Sequence, residues 1–234
     1  MVASGETRRR LAPLDALSGN PDRLLLHEVY ASIQGESTYA GRPCTFVRTT
    51  GCNLRCTWCD TGHAFTGGEE YSVGEVLSAV EELAPRLVEI TGGEPLLQPA
   101  VLPLMTRLCD AGYTVLLETG GSLDIAPVDA RVVRIVDLKA PGSGEVAANR
   151  WENIGALRHS DEVKIIVATR ADYEWAKSRI AEHGLTERCT VLLGSAHGAL
   201  AQSDLAAWIL EDHLEVRMQV QLHKVIWDPR QRGV

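Results

Sequence analysis

Three of the chain's six cysteines lie within one short run, Cys52-Asn53-Leu54-Arg55-Cys56-Thr57-Trp58-Cys59. Thiolates are soft ligands that suit zinc or iron–sulfur clusters, and the spacing C-x3-C-x2-C on a loop lets all three sulfurs converge. The number of ligands separates the possibilities. A structural zinc site or an electron-transfer cluster usually takes four, and no fourth cysteine follows nearby. Cys44 precedes the run at a strand start, Cys109 falls in a helical pattern and Cys189 at another strand start, so these are expected to be core thiols. A 4Fe–4S cluster held by three cysteines leaves one iron open to a further molecule. The run therefore predicts a cluster that binds something, not one that only relays electrons.

The elements that must position this loop read as α/β. Apolar, β-branched stretches occur at Thr45–Arg48, Leu87–Thr91, Thr114–Glu118, Val132–Leu138, Val163–Ala168, Thr190–Leu193 and Val216–Leu222. Helical patterns lie between several of them, at Val73–Leu83, Val101–Ala111, Ala171–His183 and Ser203–Leu210. Short buried strands alternating with helices imply right-handed crossovers and a largely parallel sheet. A closed eight-unit barrel takes about 250 residues, so an incomplete parallel β/α barrel of about six strands fits this chain better. Residues 1–23 lack apolar periodicity and are expected to be a flexible tail, leaving 24–234 as one domain.

In parallel α/β folds sites are built at the carboxyl ends of the strands, and here those ends are polar or glycine-rich. Thr91-Gly92-Gly93-Glu94-Pro95, Glu118-Thr119-Gly120-Gly121, Asp137-Leu138-Lys139 and Gln221-Leu222-His223-Lys224 all stand where a ligand would be met. With 23 Lys and Arg against 31 Asp and Glu, the formal net charge is −8. That balance disfavours a nucleic-acid partner, and a small-molecule substrate is expected instead. No apolar run is long enough to span a bilayer, and no apolar segment follows Arg8-Arg9-Arg10 as a secretory signal would require. A reducing, cytoplasmic location follows, in which the cysteines serve as ligands or core residues.

The cysteine run, with Trp58 directly before its last cysteine, resembles the signature of the radical S-adenosylmethionine superfamily. The resemblance implies that S-adenosylmethionine chelates the open iron and is cleaved to a 5′-deoxyadenosyl radical, the cofactor carrying the difficult chemistry. Gly92-Gly93-Glu94-Pro95 is similar to the segment that binds the methionine amino group in that superfamily. By the same likeness Trp58, Glu118, Lys139 and Ser143 become cofactor contacts; Asp137 is a further candidate near the ribose or carboxylate.

Within the superfamily the chain resembles the 7-carboxy-7-deazaguanine synthase family from about Leu26 to the C-terminus. Ile33-Gln34-Gly35-Glu36 stands where that family has a substrate loop, Arg48 precedes the cluster cysteines, and Cys59-Asp60-Thr61 and Leu222-His223-Lys224 with Pro229 match further segments. The family reaction contracts the ring of 6-carboxy-5,6,7,8-tetrahydropterin with loss of ammonia. Ile33, Gln34, Gly35, Glu36, Arg48, Thr91, Gln221, His223 and Pro229 would then contact the pterin, Arg48 clamping a carboxylate, and Thr61 would offer its hydroxyl to Mg²⁺. The likeness also implies a homodimer and an external, flavodoxin-like electron donor. The residues beyond Pro229 are expected to fold away from the site. Two alternatives stay open at this stage: another radical enzyme such as a glycyl-radical activase, and a non-catalytic Fe–S module.

Overall fold

Each parallel strand alternates between residues that face surrounding helices and residues that face a hollow interior, and this alternation sets the architecture. The computed structural model describes residues 20–229 and 231–234. In chain order the elements are β1 (Arg23–Ile33), β2 (Pro43–Thr49), β3 (Glu69–Ser72), α1 (Val73–Glu82), β4 (Leu87–Gly92), α2 (Val101–Asp110), β5 (Thr114–Thr119) and β6 (Val133–Asp137). They continue as α3 (Asn153–Ala156), β7 (Glu162–Val167), α4 (Arg170–His183), α5 (Leu185–Arg188), β8 (Thr190–Ser195), α6 (Gln202–Glu211), β9 (Arg217–Gln219) and α7 (His223–Ile226). The strands form one sheet in the order β3-β1-β2-β4-β5-β6-β7-β8-β9. From β2 through β9 every pairing is parallel, while β1 pairs antiparallel with both β2 and β3. The two outer strands do not pair with each other, so the barrel is incomplete.

The seven apolar stretches form parallel strands β2 and β4 to β9, the last, expected over Val216–Leu222, being only three residues long. The antiparallel pair β1 and β3 was not expected. β1 is largely half-buried and shifts register between Leu26 and Glu28, which breaks the alternation that would mark it. β3 has only four residues, two of them exposed. Of the expected tail, residues 1–19 lie outside the described residues, and Arg23 already belongs to β1.

On the outer face, Val47, Val88, Ile90, Val115 and Leu117 pack against Val76, Val80, Leu104, Met105 and Leu108 of α1 and α2. Val163, Ile165, Val191 and Leu193 pack against Tyr173, Ala176, Ile180 and Leu205 of α4 and α6. Inside, Cys44, Phe46, Leu87, Leu116 and Ile135 close the lower end of the barrel. Cys44 and Cys189 are buried core thiols and Cys109 is partly buried in α2, as their positions implied. Helix starts are fixed locally: Ser72 and Glu75 make a reciprocal cap on α1, and Thr169 caps α4 through the Asp172 amide.

One charged pair lies wholly inside the outer layer. Arg134 of β6 and Asp161 have fully buried side chains; Arg134 Nε donates to Asp161 Oδ2 at 3.1 Å, Nη1 to the Ile125 carbonyl at 2.9 Å and Nη2 to the Ala156 carbonyl at 2.6 Å. The Arg158 amide also donates to Asp161 Oδ2, at 2.7 Å. Deleting one partner strands the other charge in a dry layer, which costs about 3–5 kcal/mol. Asp161→Ala is therefore expected to lose about that much stability in urea unfolding; a loss below about 1 kcal/mol would contradict this account.

Candidate functional site

The carboxyl ends of the parallel strands surround a cavity of about 700 Å³, within the usual size of a small-molecule site. Cys52, Cys56 and Cys59 line one side of it. Their loop is tied down at several points. The Arg55 amide donates to Glu145 Oε1 (2.5 Å), Arg55 Nη1 donates to the Cys52 carbonyl (2.8 Å), and the Thr57 amide donates to the Ser143 carbonyl (2.9 Å). The Arg55 guanidinium also lies 4.3 Å over the Phe65 ring. The Leu54 amide points at Cys52 Sγ at 3.4 Å, the polar contact a thiolate ligand accepts.

Among the described residues no three Cys, His, Asp or Glu side chains gather around a point that a single ion could fill. Three thiols on one wall suit a multi-iron cluster, where each cysteine takes its own iron. Burial pushes the Cys52 thiol up to about 11 and raises Cys56 as well, so a bound metal has to hold them as thiolates.

The glycines Gly92 and Gly93 also set how closely β4 approaches the cysteine loop. Gly92 has φ 139°, and a Cβ there would overlap the Thr49 backbone; a Cβ on Gly93 would overlap the Gly51 carbonyl and press on Cys52 Cβ. Two hydrogen bonds hold this approach: Gly93 N–H to the Thr49 carbonyl (3.2 Å) and Glu94 N–H to the Gly51 carbonyl (2.7 Å). Both glycines line the cavity, yet their indispensable contact is with the base of the cysteine loop.

Opposite the cysteines the wall is charged and acceptor-rich. Lys164 of β7, 7% exposed, pairs with Glu118 of β5 and with Glu36 at 3.1 Å. Glu36 also accepts from Gln219 Nε2 (2.7 Å) and Gln221 Nε2 (2.8 Å). Burial alone would raise Glu118, but the Lys164 ammonium holds it below the ordinary range; burial likewise opposes the charge on Lys164, which Glu118 and Glu36 more than restore. Lys139, beside Asp137 at 2.8 Å and near Cys56, keeps its charge in the same way. Arg48 gives Nε to Glu28 and Nη2 to the Tyr30 hydroxyl at 2.9 Å.

Asp60 joins this wall through Lys224 Nζ at 2.6 Å; burial works against its charge, but that ammonium holds it at about 2. Gly35 leaves no room for a Cβ because His223 Nδ1 packs on it, and the Leu222 amide donates to the Gly35 carbonyl at 2.9 Å. The Ile33–Glu36 loop and the segment around α7 therefore form one unit. Burial lowers His223, favouring neutral imidazole.

The structure brings the sequence-derived candidates to this cavity with two exceptions. Ile33, Gln34, Gly35, Glu36, Arg48, Trp58, Thr61, Thr91, Glu118, Lys139, Gln221, His223 and Pro229 line it beside the cysteines. Glu94 is fully buried below the wall, its carboxylate accepting from Thr119 Oγ1 (2.8 Å) and from the Leu96 and Gly120 amides. Ser143 is also fully buried, its hydroxyl donating to the Ala140 carbonyl at 2.6 Å. Both brace the wall from behind. A second correction concerns the C-terminus: Gln231, Arg232, Gly233 and Val234 do not fold away but line the cavity.

The sequence reading missed Glu89 and Lys164. Their signal was a charged residue inside an otherwise apolar strand, Leu-Val-Glu-Ile-Thr in β4 and Val-Lys-Ile-Ile-Val in β7.

Because Gly93 has no space for a side chain, Gly93→Ala is expected to push the cysteine loop off its base. The purified variant should retain less than half the iron of the wild type after anaerobic reconstitution, with its secondary structure preserved by circular dichroism. Wild-type iron content in that variant would refute the close-approach account.

A family model for the Radical SAM superfamily matches residues 46–140. The chain is 47% identical over 222 residues to a 7-carboxy-7-deazaguanine synthase from Koribacter versatilis (strain Ellin345), covering 88% of this chain and 98% of that protein. It is 48% identical over 214 residues to a 7-carboxy-7-deazaguanine synthase from Chlorobaculum tepidum, covering 90% and 97%. Its fold is similar to that in a crystal structure of QueE from Escherichia coli, with a TM-score of 0.70 over 89% of this chain and 99% of that one; at 21% identity this likeness bears on fold alone. The cavity built around three cluster-type cysteines and the extent of these matches lead to one assignment: the chain belongs to the 7-carboxy-7-deazaguanine synthase family of radical S-adenosylmethionine enzymes.

Proposed function

We propose that this cavity converts 6-carboxy-5,6,7,8-tetrahydropterin to 7-carboxy-7-deazaguanine with release of ammonia. The observation that carries the reading is that the cysteine loop and the wall of Glu36, Glu118, Arg48 and His223 open on the same cavity. Cys52, Cys56 and Cys59 would hold a 4Fe–4S cluster which, with S-adenosylmethionine bound, would supply the radical chemistry that takes a hydrogen atom from the substrate. The remaining work falls to the chain: to bind, to orient and to keep water from the reacting face.

The pterin's amino-pyrimidinone edge is rich in N–H donors and suits the carboxylates Glu36 and Glu118. Gln34 is 3% exposed and both ends of its amide are already engaged, Nε2 by Glu89 of β4 and Oε1 by the Glu36 amide, so this loop offers the ligand its backbone and Glu36. Arg48 faces the substrate carboxylate from the other side, and neutral His223 can accept or donate near it. Trp58, Gly92, Gly93, Lys139 and Glu118 adjoin the S-adenosylmethionine side, with Glu94 and Ser143 bracing that side from beneath. Thr61, whose hydroxyl is 3.7 Å from Cys59 Sγ, would offer that oxygen to Mg²⁺. The reading includes a homodimer, a flavodoxin-like electron donor, a cytoplasmic setting and a tail ahead of β1. No helix among the described residues is long and apolar enough to cross a membrane.

The test is anaerobic reconstitution followed by incubation with reductant, S-adenosylmethionine, Mg²⁺ and 6-carboxytetrahydropterin. A deazapurine of the expected mass should form, and Cys56→Ala should abolish both it and 5′-deoxyadenosine. Formation of 5′-deoxyadenosine without deazapurine would overturn the substrate assignment and favour a different radical enzyme. Since Gln231–Val234 line the cavity, truncation after Pro229 is expected to raise KM for the pterin several-fold with cluster content unchanged; an unaltered KM would place these residues outside the working site.

A further inference from the structure

Glu89 of β4 shares the inward face of its strand with Leu87 and Thr91. It is 3% exposed yet forms part of the cavity floor. On one side Gln34 Nε2 donates to Glu89 Oε2, while Gln34 Oε1 accepts the Glu36 amide at 3.0 Å. Both ends of the Gln34 amide are thereby fixed, and with them the Ile33–Glu36 loop. On its other side Glu89 faces Glu118, which lines the same cavity from the neighbouring strand β5 and binds Lys164 and the Thr91 hydroxyl. Two carboxyl groups crowded into a buried floor with one ammonium favour a proton on one of them. Lys164 pairs directly with Glu118, which leaves that proton to Glu89.

We propose that Glu89 is a positioning residue of the substrate site: as a neutral carboxylic acid it donates to Glu118 and accepts from Gln34, fixing the orientation in which the ligand meets both the β5 carboxylate and the substrate loop. The local charge balance supports this. Glu36, Glu89 and Glu118 surround one buried ammonium, and three carboxylates so confined cannot all be ionised. Burial first, then Glu118 and Glu36, hold the Glu89 carboxyl well above the ordinary range. The groups facing it are Tyr30 of β1, Cys44 of β2, Glu118 of β5, Lys164 of β7, and Gln34 and Glu36 of the loop. Raising the pH through its elevated pKa ionises Glu89, cancels its donor and adds a negative charge against Glu118 and Glu36, so ligand binding weakens on the alkaline side.

The assay rests on the proposed reaction, and two variants with one spectroscopic measurement separate the two ideas. Glu89→Gln retains an acceptor for Gln34 and an N–H for Glu118 but cannot ionise. Its KM for the pterin should stay within about threefold of wild type, and the alkaline rise in KM should vanish. Glu89→Val removes both contacts and should raise KM about tenfold or more, as expected for a lost pair of buried hydrogen bonds, with iron content and S-adenosylmethionine affinity unchanged. Infrared difference spectra of wild type against Glu89→Gln should show a protonated carboxyl band belonging to Glu89. Absence of that band overturns the proposal, as does a Glu89→Val enzyme with wild-type KM and pH profile. If the wild type makes no deazapurine, the functional reading fails while the infrared band still decides the state of Glu89.

Discussion

A single buried ammonium organises the floor of this cavity. Lys164 projects from β7 into the barrel, where an unpaired charge would cost several kcal/mol. Its partners come from distant parts of the chain, Glu118 from β5 and Glu36 from the loop after β1. Satisfying Lys164 thus requires the N-terminal loop to lie across the top of a barrel built mainly from later strands. Glu36 then draws in Gln219 and Gln221, and Gln221 with Lys224 reaches Asp60 beside the last cluster cysteine. The ionic network runs without interruption from the barrel floor to the edge of the cysteine loop. Each member is positioned by its neighbours before any ligand arrives, the preorganisation that electrostatic recognition needs.

The cysteine side is held by sterics more than by charge. Gly92 and Gly93 let the end of β4 lie against Thr49 and Gly51, and the loop that follows inherits its starting direction from that contact. Behind it, Asp172 at the start of α4 accepts from the Gly142 amide at 2.7 Å, and the Ser143 carbonyl next to it holds Thr57. Two walls with different physical origins therefore face one another, one close-packed with soft ligands, one polar and ionic.

Much of this was legible in the sequence, and the failures have identifiable causes. The parallel strands announced themselves because both faces are covered, giving continuous apolar runs. β1 and β3 did not, since a half-buried edge pair with a register shift carries little periodicity. The cysteine spacing and the glycine pair were readable as motifs, but their mutual contact was not, because it depends on a parallel pairing of strands some forty residues apart. Glu94 and Ser143 stood in the right segments, yet which way a side chain points at a strand end is decided by the turn that follows. Glu89 and Lys164 carry no strand-end signal because each lies inside a strand, and only the folded barrel shows that their face points into the cavity.

The preformed network also constrains what can bind. Glu36 has both oxygens engaged and Glu118 shares its own with Lys164 and Thr91. A ligand adding one polar contact here must align with lone pairs already directed by the protein, and a ligand that presents acceptors instead of N–H donors gains no hydrogen bond and meets repulsion from the carboxylates. A site of this kind rejects analogues lacking the donor edge more strongly than it rejects small changes in size. Arg48, already shared between Glu28 and Tyr30, adds the converse demand for an anionic group across the cavity. In the proposed reaction, donor edge and carboxylate would have to be present at the correct separation in one rigid molecule, and that geometric pairing, more than either contact alone, would select what the radical reaches.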